Sequence, residues 1–304
     1  MEMRELDVSS VWIISDGKQG HYNQSLGLAL ALQRQGSDLT IETLSVLTPF
    51  ERVKLLLGAA LPQQLAALSK PSLIISAGHA THLSLLILGW RLKAKTLLLM
   101  KPSLPLTWFD LCLIPAHDQP KLGEHVEITQ GALNPMRPAT KQAGTGLVLI
   151  GGPSKHHGWD ESALFRQLEH LIVDESRPWT ITSSRRTPAM TLAKLGQLPN
   201  VSFIPHTETP QGWLAEKLST TEVAWVTADS VSMIYESLTA GCRVGVLEVP
   251  EVKVNRLTRG IQALAQEGTI TLFSQWTQTK ELSSMGIFNE ADRCADVILK
   301  RGWL

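Results

Sequence analysis

Short apolar runs alternate along this chain with longer stretches whose apolar positions recur at helical spacing. SVWIISDG (residues 10–17) reads as a buried strand closed by a glycine, and YNQSLGLALALQRQG (22–36) as a helix that stops at Gly36. LTIETLSV (39–46) alternates as a strand does. FERVKLLLGAALPQQLAALSK (50–70) is helical with an interruption near Pro62. PSLIISAGHA (71–80), KTLLLMKPS (95–103) and FDLCLIPAHD (109–118) read as core strands, with the helix THLSLLILGWRLK (81–93) between the first two. Such alternation predicts a parallel sheet with helices on both faces.

The pattern pauses at NPMRPATKQAGTG (134–146), whose prolines, glycines and short polar residues suit a linker, and then restarts. LVLIGGPSKHHGW (147–159), PWTITSSRRTP (178–188), VSFIPHTETP (201–210), EVAWVTADS (222–230) and RVGVLEVP (243–250) read as strands with their following loops. Helices fall at ESALFRQLEHLIVDE (161–175), PAMTLAKLGQL (188–198) and SVSMIYESLTAG (230–241). The expected fold class is α/β, with two Rossmann-like doubly wound domains, 1–138 and 139–304, facing a cleft. The last helix, in NEADRCADVILKRGWL, could pack on either domain, including back on the first. Ligands in such folds bind outside the carboxyl ends of the strands, so the loops after strands carry the chemistry.

Composition narrows the function classes. The 304 residues carry 28 Lys and Arg against 28 Asp and Glu. A balanced charge argues against nucleic-acid binding, which favours a basic excess. Cys112, Cys242 and Cys294 are scattered and odd in number, as expected of a reducing compartment rather than a disulfide framework. No apolar run approaches the ~18–20 residues of a spanning helix, and a cytoplasmic protein is expected.

In the first domain the leading loop, DGKQGHYNQ, sets Gly17, Lys18, Gln19 and Gly20 before His21, with Gln24 one turn on. Glycines let backbone N–H groups turn toward an anion, and a helix start adds partial positive charge. SAGHATH repeats the theme with Gly78 and His79. IPAHDQP offers His117 and Asp118, although neighbours in sequence rarely point at each other and a solvated Asp in a turn explains them as well. The histidines lack metal-ligand spacing, and neither G-x-G-x-x-G nor G-K-[ST] occurs, so no metal or cofactor is expected.

The second domain is denser in signals. Gly151, Gly152, Ser154 and Lys155 follow a strand in a set that suits a diphosphate. Ser183, Arg185, Arg186 and Thr187 stand at the next strand end, where two adjacent arginines call for an anion or a carboxylate partner. TADSVSMIYESLTAG opens a helix with Asp229, Ser230 and Ser232 and places Glu236 inside it. Either serine could cap that helix, and one suffices. The spare hydroxyl fits a phosphate, and the carboxylate could accept from both hydroxyls of a ribose.

The segments DGKQGHYNQ, FDLCLIPAHD, TQGALNP, GGPSKHHGW, TSSRRTP and VTADSVSMIYES together resemble the family of the plant mitochondrial-fission factor named for elongated mitochondria, with its bacterial relatives. The resemblance runs over about residues 10–275. The layout is also similar, more remotely, to GT-B glycosyltransferases, especially the enzyme that adds N-acetylglucosamine to the lipid-linked peptidoglycan precursor. It implies a metal-independent glycosyltransferase with a nucleotide-sugar donor as substrate. Gly17, Gly20 and His21 match its acceptor-side loop, although Lys18 and Gln19 stand where those enzymes carry small residues. Gly151, Gly152, Ser154, Asp229, Ser230, Ser232, Glu236 and Gly241 match its donor side. His21 or Asp118 would be the general base. The acceptor is unnamed, and a lipid-linked one at the membrane surface would make the protein peripheral to the inner membrane. The apolar, cationic LSLLILGWRLKAKTLLLMK (83–101) could dock there, but a buried helix and strand explain it equally well. Two alternatives stay open. One is a non-catalytic adaptor of the fission-factor kind. The other is a nucleotide-sugar epimerase using His206, His117 or Asp118.

Overall fold

The computed structural model describes residues 9–36, 38–175, 177–253, 256–283, 286 and 288–304. The chain divides into two compact units. One runs up to Pro135 and takes in Asn289–Leu304, and the other is Met136–Phe288.

The first unit is built on β1 (Ser9–Ser15), α1 (Gln19–Arg34), β2 (Leu39–Ser45), α2 (Pro49–Leu56), α3 (Gln63–Ala66) and β3 (Leu73–Ala77). It continues through α4 (His82–Leu92), β4 (Lys95–Leu99), β5 (Leu111–Pro115) and β6 (Val126–Thr129). The strands form one parallel sheet in the order β2-β1-β3-β4-β5-β6. The interior strands β3 and β5 are buried at every position. That explains why they read as unbroken apolar runs, since helices cover both faces of a parallel sheet. The strand β6 was not legible, because Glu127 and Thr129 break its short apolar run.

The second unit contains β7 (Gln142–Leu149), α5 (Glu161–Asp174), β8 (Trp179–Thr182), α6 (Ala189–Leu195), β9 (Val201–Ile204) and α7 (Trp213–Thr220). It then runs through β10 (Thr221–Thr227), α8 (Val231–Thr239), β11 (Arg243–Leu247), α9 (Arg256–Gln266), β12 (Thr271–Leu272) and α10 (Phe273–Thr279). Its parallel sheet has the order β12-β11-β10-β7-β8-β9. The last helix, α11 (Glu290–Lys300), belongs to the first unit. Its buried face, Ala291, Cys294, Ala295 and Ile298, joins the core of β1, β3 and α1, and Arg34 on α1 pairs with Asp292.

Each sheet has one place where the chain reverses its direction of growth. In the first unit it lies between β1 and β3, and in the second between β7 and β10. Loops diverge there, which opens a crevice at the carboxyl ends of the two strands. All three cysteines are buried and free, and burial alone pushes the Cys112 thiol up to about 12. Among the described residues no helix is long and apolar enough to cross a membrane.

Candidate functional site

The crevice of the first unit is formed by the loops after β1 and β3. β1 delivers Asp16, and a turn at Gly17 (φ +81°) leads into α1, whose first turn carries His21. The positive φ needs glycine at that position. His21 Nδ1 lies 2.9 Å from Oδ2 and 3.1 Å from Oδ1 of Asp16. The Asp16 side chain is only 3% exposed. Burial alone would raise its carboxyl, but the Lys18 backbone N–H, the His21 ring and the Lys18 charge outweigh burial and hold it below the ordinary value. An ionised carboxylate can only accept, so His21 Nδ1 carries a proton, and in the neutral ring Nε2 is the nitrogen that holds the lone pair.

Gly78, after β3, completes the arrangement. A Cβ there would fall 2.4 Å from the His21 Cε1 and Nδ1 atoms, and φ is +87°. Gly78 is therefore the space in which the imidazole sits. His79 follows and is exposed, with Nδ1 3.2 Å from Ser103 Oγ. Lys18 is exposed, Gln19 bonds Asn23, and Gln24 donates to the Gly20 carbonyl. A Cβ at Gly20 would meet nothing. Asp118 is not the solvated carboxylate of a plain turn. Its side chain is 3% exposed and stands 3.8 Å from His117 Nε2, so these two sequence neighbours do face each other. The short helical turn Ala116–Asp118 brings them together.

The crevice of the second unit joins the loops after β7, β8 and β10. Gly151 N–H donates to Thr227 Oγ1 at 2.8 Å, and Gly152 N–H to Asp229 Oδ2 at 3.0 Å. A Cβ at Gly151 would fall 2.2 Å from Asp229 Oδ2, and one at Gly152 2.1 Å from the Arg186 carbonyl oxygen. The glycine pair was expected to let backbone approach an anion; its side-chain space is filled by the chain's own Asp229 and Arg186. Arg186 donates to Asp229 Oδ2 at 2.6 Å and to the Gly152 carbonyl at 2.5 Å. It thus takes the carboxylate-partner role. Arg185 is exposed and makes no hydrogen bond or ion pair among the described residues.

Thr187 Oγ1 bonds the Gly151 carbonyl at 2.6 Å, and Ser183 Oγ accepts from the His206 N–H at 3.0 Å. Ser154 Oγ accepts from the N–H groups of His156 and His157, and Lys155 is exposed. His157 is buried. Burial holds its ring below the ordinary value, against the opposing charges of Asp229 and Glu251.

Ser230 is the N-cap residue of α8, yet its side chain makes no cap bond. The first N–H groups of α8 keep their partial positive charge without a side-chain cap. Ser232 is exposed in the first turn, and the buried Glu236 follows four residues later on the same helix face. The far end of α8 is fixed by Lys141, whose Nζ donates to the carbonyls of Ala240, Leu218 and Ser219. The structure therefore gathers Gly151, Gly152, Arg186, Thr187 and Asp229 into one hydrogen-bonded cluster beside the α8 start. It gathers His21 and Gly78 into another. Sequence reasoning missed Asp16 and Thr227; the one available signal for Asp16 was a carboxylate at a strand end just before a glycine turn. Among the described residues no cluster of His, Cys, Asp and Glu could hold a metal ion.

A family model described as Mitochondrial fission ELM1 matches residues 19–302, and the chain belongs to that family. An uncharacterized protein of Rickettsia prowazekii (strain Madrid E), RP120, is 23% identical over 95% of this chain and 97% of its own length. Among solved structures, the UDP-GlcNAc 2-epimerase of Neisseria meningitidis bound to UDP-GlcNAc is similar with a TM-score of 0.53 at 11% identity. It covers 96% of this chain and 98% of that one. A glycotransferase of kitacinnamycin is similar with a TM-score of 0.50 at 16% identity, covering 96% and 99%. At such identities the likeness is one of fold. The two parallel, helix-flanked sheets are the Rossmann-like domains of GT-B-like proteins.

Proposed function

We propose that this member of the Mitochondrial fission ELM1 family is a metal-independent glycosyltransferase that moves a sugar from a nucleotide-sugar donor to an acceptor hydroxyl. The observation that carries the reading is the His21–Asp16 dyad, a base with a fixed tautomer at the crevice of the first unit's sheet. An adaptor has no use for an imidazole locked by a buried carboxylate into a space kept clear by Gly78.

The second unit is assigned the donor. The start of α8, with Ser230, Ser232 and the exposed Arg185 and Lys155, would take the diphosphate, and Glu236 the ribose. In the transfer, the acceptor hydroxyl gives its proton to His21 Nε2 and its oxygen bonds to the anomeric carbon. The bond from that carbon to the diphosphate breaks, and the charge that develops on the leaving oxygen is met by the α8 N–H groups and Arg185. This division supports Arg185 rather than Arg186 as the cation that meets the diphosphate, because Arg186 is engaged with Asp229.

The fold shared with a UDP-GlcNAc 2-epimerase favours one second reading, inversion at C2 of the sugar. Incubation with nucleotide sugars tests both. Release of nucleoside diphosphate that depends on an added acceptor and is lost in His21→Ala supports transfer. A changed sugar formed without acceptor supports epimerisation. Failure to turn over or bind any nucleotide sugar removes both.

A further inference from the structure

The helices α2 and α4 pack side by side and leave an apolar groove of 640 Å³ between them. Pro49, Arg52, Val53 and Leu56 line it from α2, and Leu83, Leu86, Ile87 and Trp90 from α4. Both sets follow the i, i+3, i+4, i+7 spacing of one helix face. The opposite face of α4 buries Leu85, Leu88 and Leu92 against the sheet. Ile87 and Leu86 reach into that core too, while Leu83 and Trp90 on the groove side are exposed. The flanking Phe50 and Leu57 are exposed as well, Leu57 at 83%, and Trp90 is 64% exposed. A contiguous exposed patch of this kind marks an interaction surface.

Charge says what the surface meets. The whole chain is balanced, yet from Arg52 to Phe109 it holds seven Lys and Arg and no Asp or Glu. Two of the seven sit against exposed aromatic rings. Lys54 Nζ lies 4.3 Å from the centre of the Phe50 ring, and the Arg91 guanidinium 5.9 Å from that of Trp90. Lys93 is exposed just past the end of α4, and Arg52 Nε has no hydrogen-bond partner among the described residues. Apart from Arg52, every side chain lining the groove is apolar. It offers little of the hydrogen bonding that a protein interface carries. Apolar and tryptophan side chains ringed by cations match a headgroup boundary instead.

We infer that the α2–α4 face docks on the surface of an anionic phospholipid bilayer, with Leu57, Trp90 and Phe50 entering the headgroup region and Lys54, Arg91 and Lys93 meeting lipid phosphates. The inference stands whether or not the protein transfers sugar.

Flotation with vesicles tests it. The protein is expected to float with vesicles of phosphatidylcholine and phosphatidylglycerol, to stay behind with phosphatidylcholine alone, and to be released by high salt. Leu57→Gln/Trp90→Gln changes two exposed side chains and is expected to abolish flotation with no change in thermal midpoint. Lys54→Gln/Lys93→Gln is expected to weaken partitioning about 25-fold, from about fivefold per cation near an anionic surface. Three results would overturn the inference. They are no flotation with either vesicle, equal flotation with both, or a wild-type dimer that Leu57→Gln/Trp90→Gln dissociates without any vesicle binding, which makes a second copy of the chain the occupant.

Discussion

The His21 ring donates from Nδ1 to the Asp16 carboxylate at 2.9 Å, across the turn that ends β1. The pair fixes which imidazole nitrogen is free, and so fixes which one could take a proton. Removing a general base typically costs about 10²–10⁴-fold in rate. His21→Ala is expected to fall in that range in kcat with little change in donor affinity. Asp16→Asn leaves the ring in place but favours the wrong tautomer, so kcat should drop again by a large factor. Steady-state kinetics on both variants check this. An Asp16→Asn enzyme with wild-type kcat would detach the dyad from catalysis.

Gly78→Ala is expected to act through His21 rather than through the fold. The added methyl would land on the ring, and a misplacement of about 1 Å can cost about 10²-fold in rate. The positive φ adds about 1 kcal/mol of strain. Gly20→Ala is the control, since its methyl would meet no atom of the chain. Its melting midpoint should hold or rise. Equal activity losses in the two variants would contradict a role for Gly78 in seating the ring.

Arg186 and Arg185 are neighbours with different tasks. Arg186→Ala strands the buried Asp229 carboxylate and should destabilise the second unit by on the order of 2 kcal/mol, discounted because Arg186 is itself 40% exposed. Arg185→Ala should leave the melting midpoint unchanged and weaken nucleotide-sugar binding about tenfold. Denaturation and binding measured on both variants separate the two. Identical behaviour would mean that the assignment is wrong.

Acid should unfold the protein through its held-down carboxylates. Burial works against Asp16 and Asp110, but their partners win and both sit below the ordinary aspartate value. For Asp110 the partners are Lys95 and the N–H and hydroxyl of Thr96. A lowered folded value contributes stability in full above the unfolded value of about 4 and loses it as pH falls through the folded values. The melting midpoint should therefore decline below about pH 4, and less steeply in Asp110→Asn. A parallel decline in that variant would place the acid sensitivity elsewhere.

Much of the fold could be read from the chain because parallel strands buried on both faces are short apolar runs, as LIISA in β3 and LCLIP in β5. Pairing across the sheet could not be read. Nothing local to RRT says that the second arginine reaches Asp229, 43 residues on. Nothing in TADSVS says that Ser230 forgoes its cap. Asp16 was hidden for a similar reason: it stands five positions before His21, across a turn with a positive φ at Gly17. The amphipathic pattern of α11 announces a buried face but not which sheet receives it.

The central claim is that the α8 start holds a nucleotide sugar, and calorimetric titration with UDP-, GDP-, CMP- and dTDP-sugars tests it most directly, with Glu236→Gln alongside. One nucleotide series should bind the wild-type chain. Its affinity should fall at least tenfold in Glu236→Gln, a loss of about 1.4 kcal/mol. No binding by any nucleotide sugar, or binding that Glu236→Gln leaves untouched, would contradict the account.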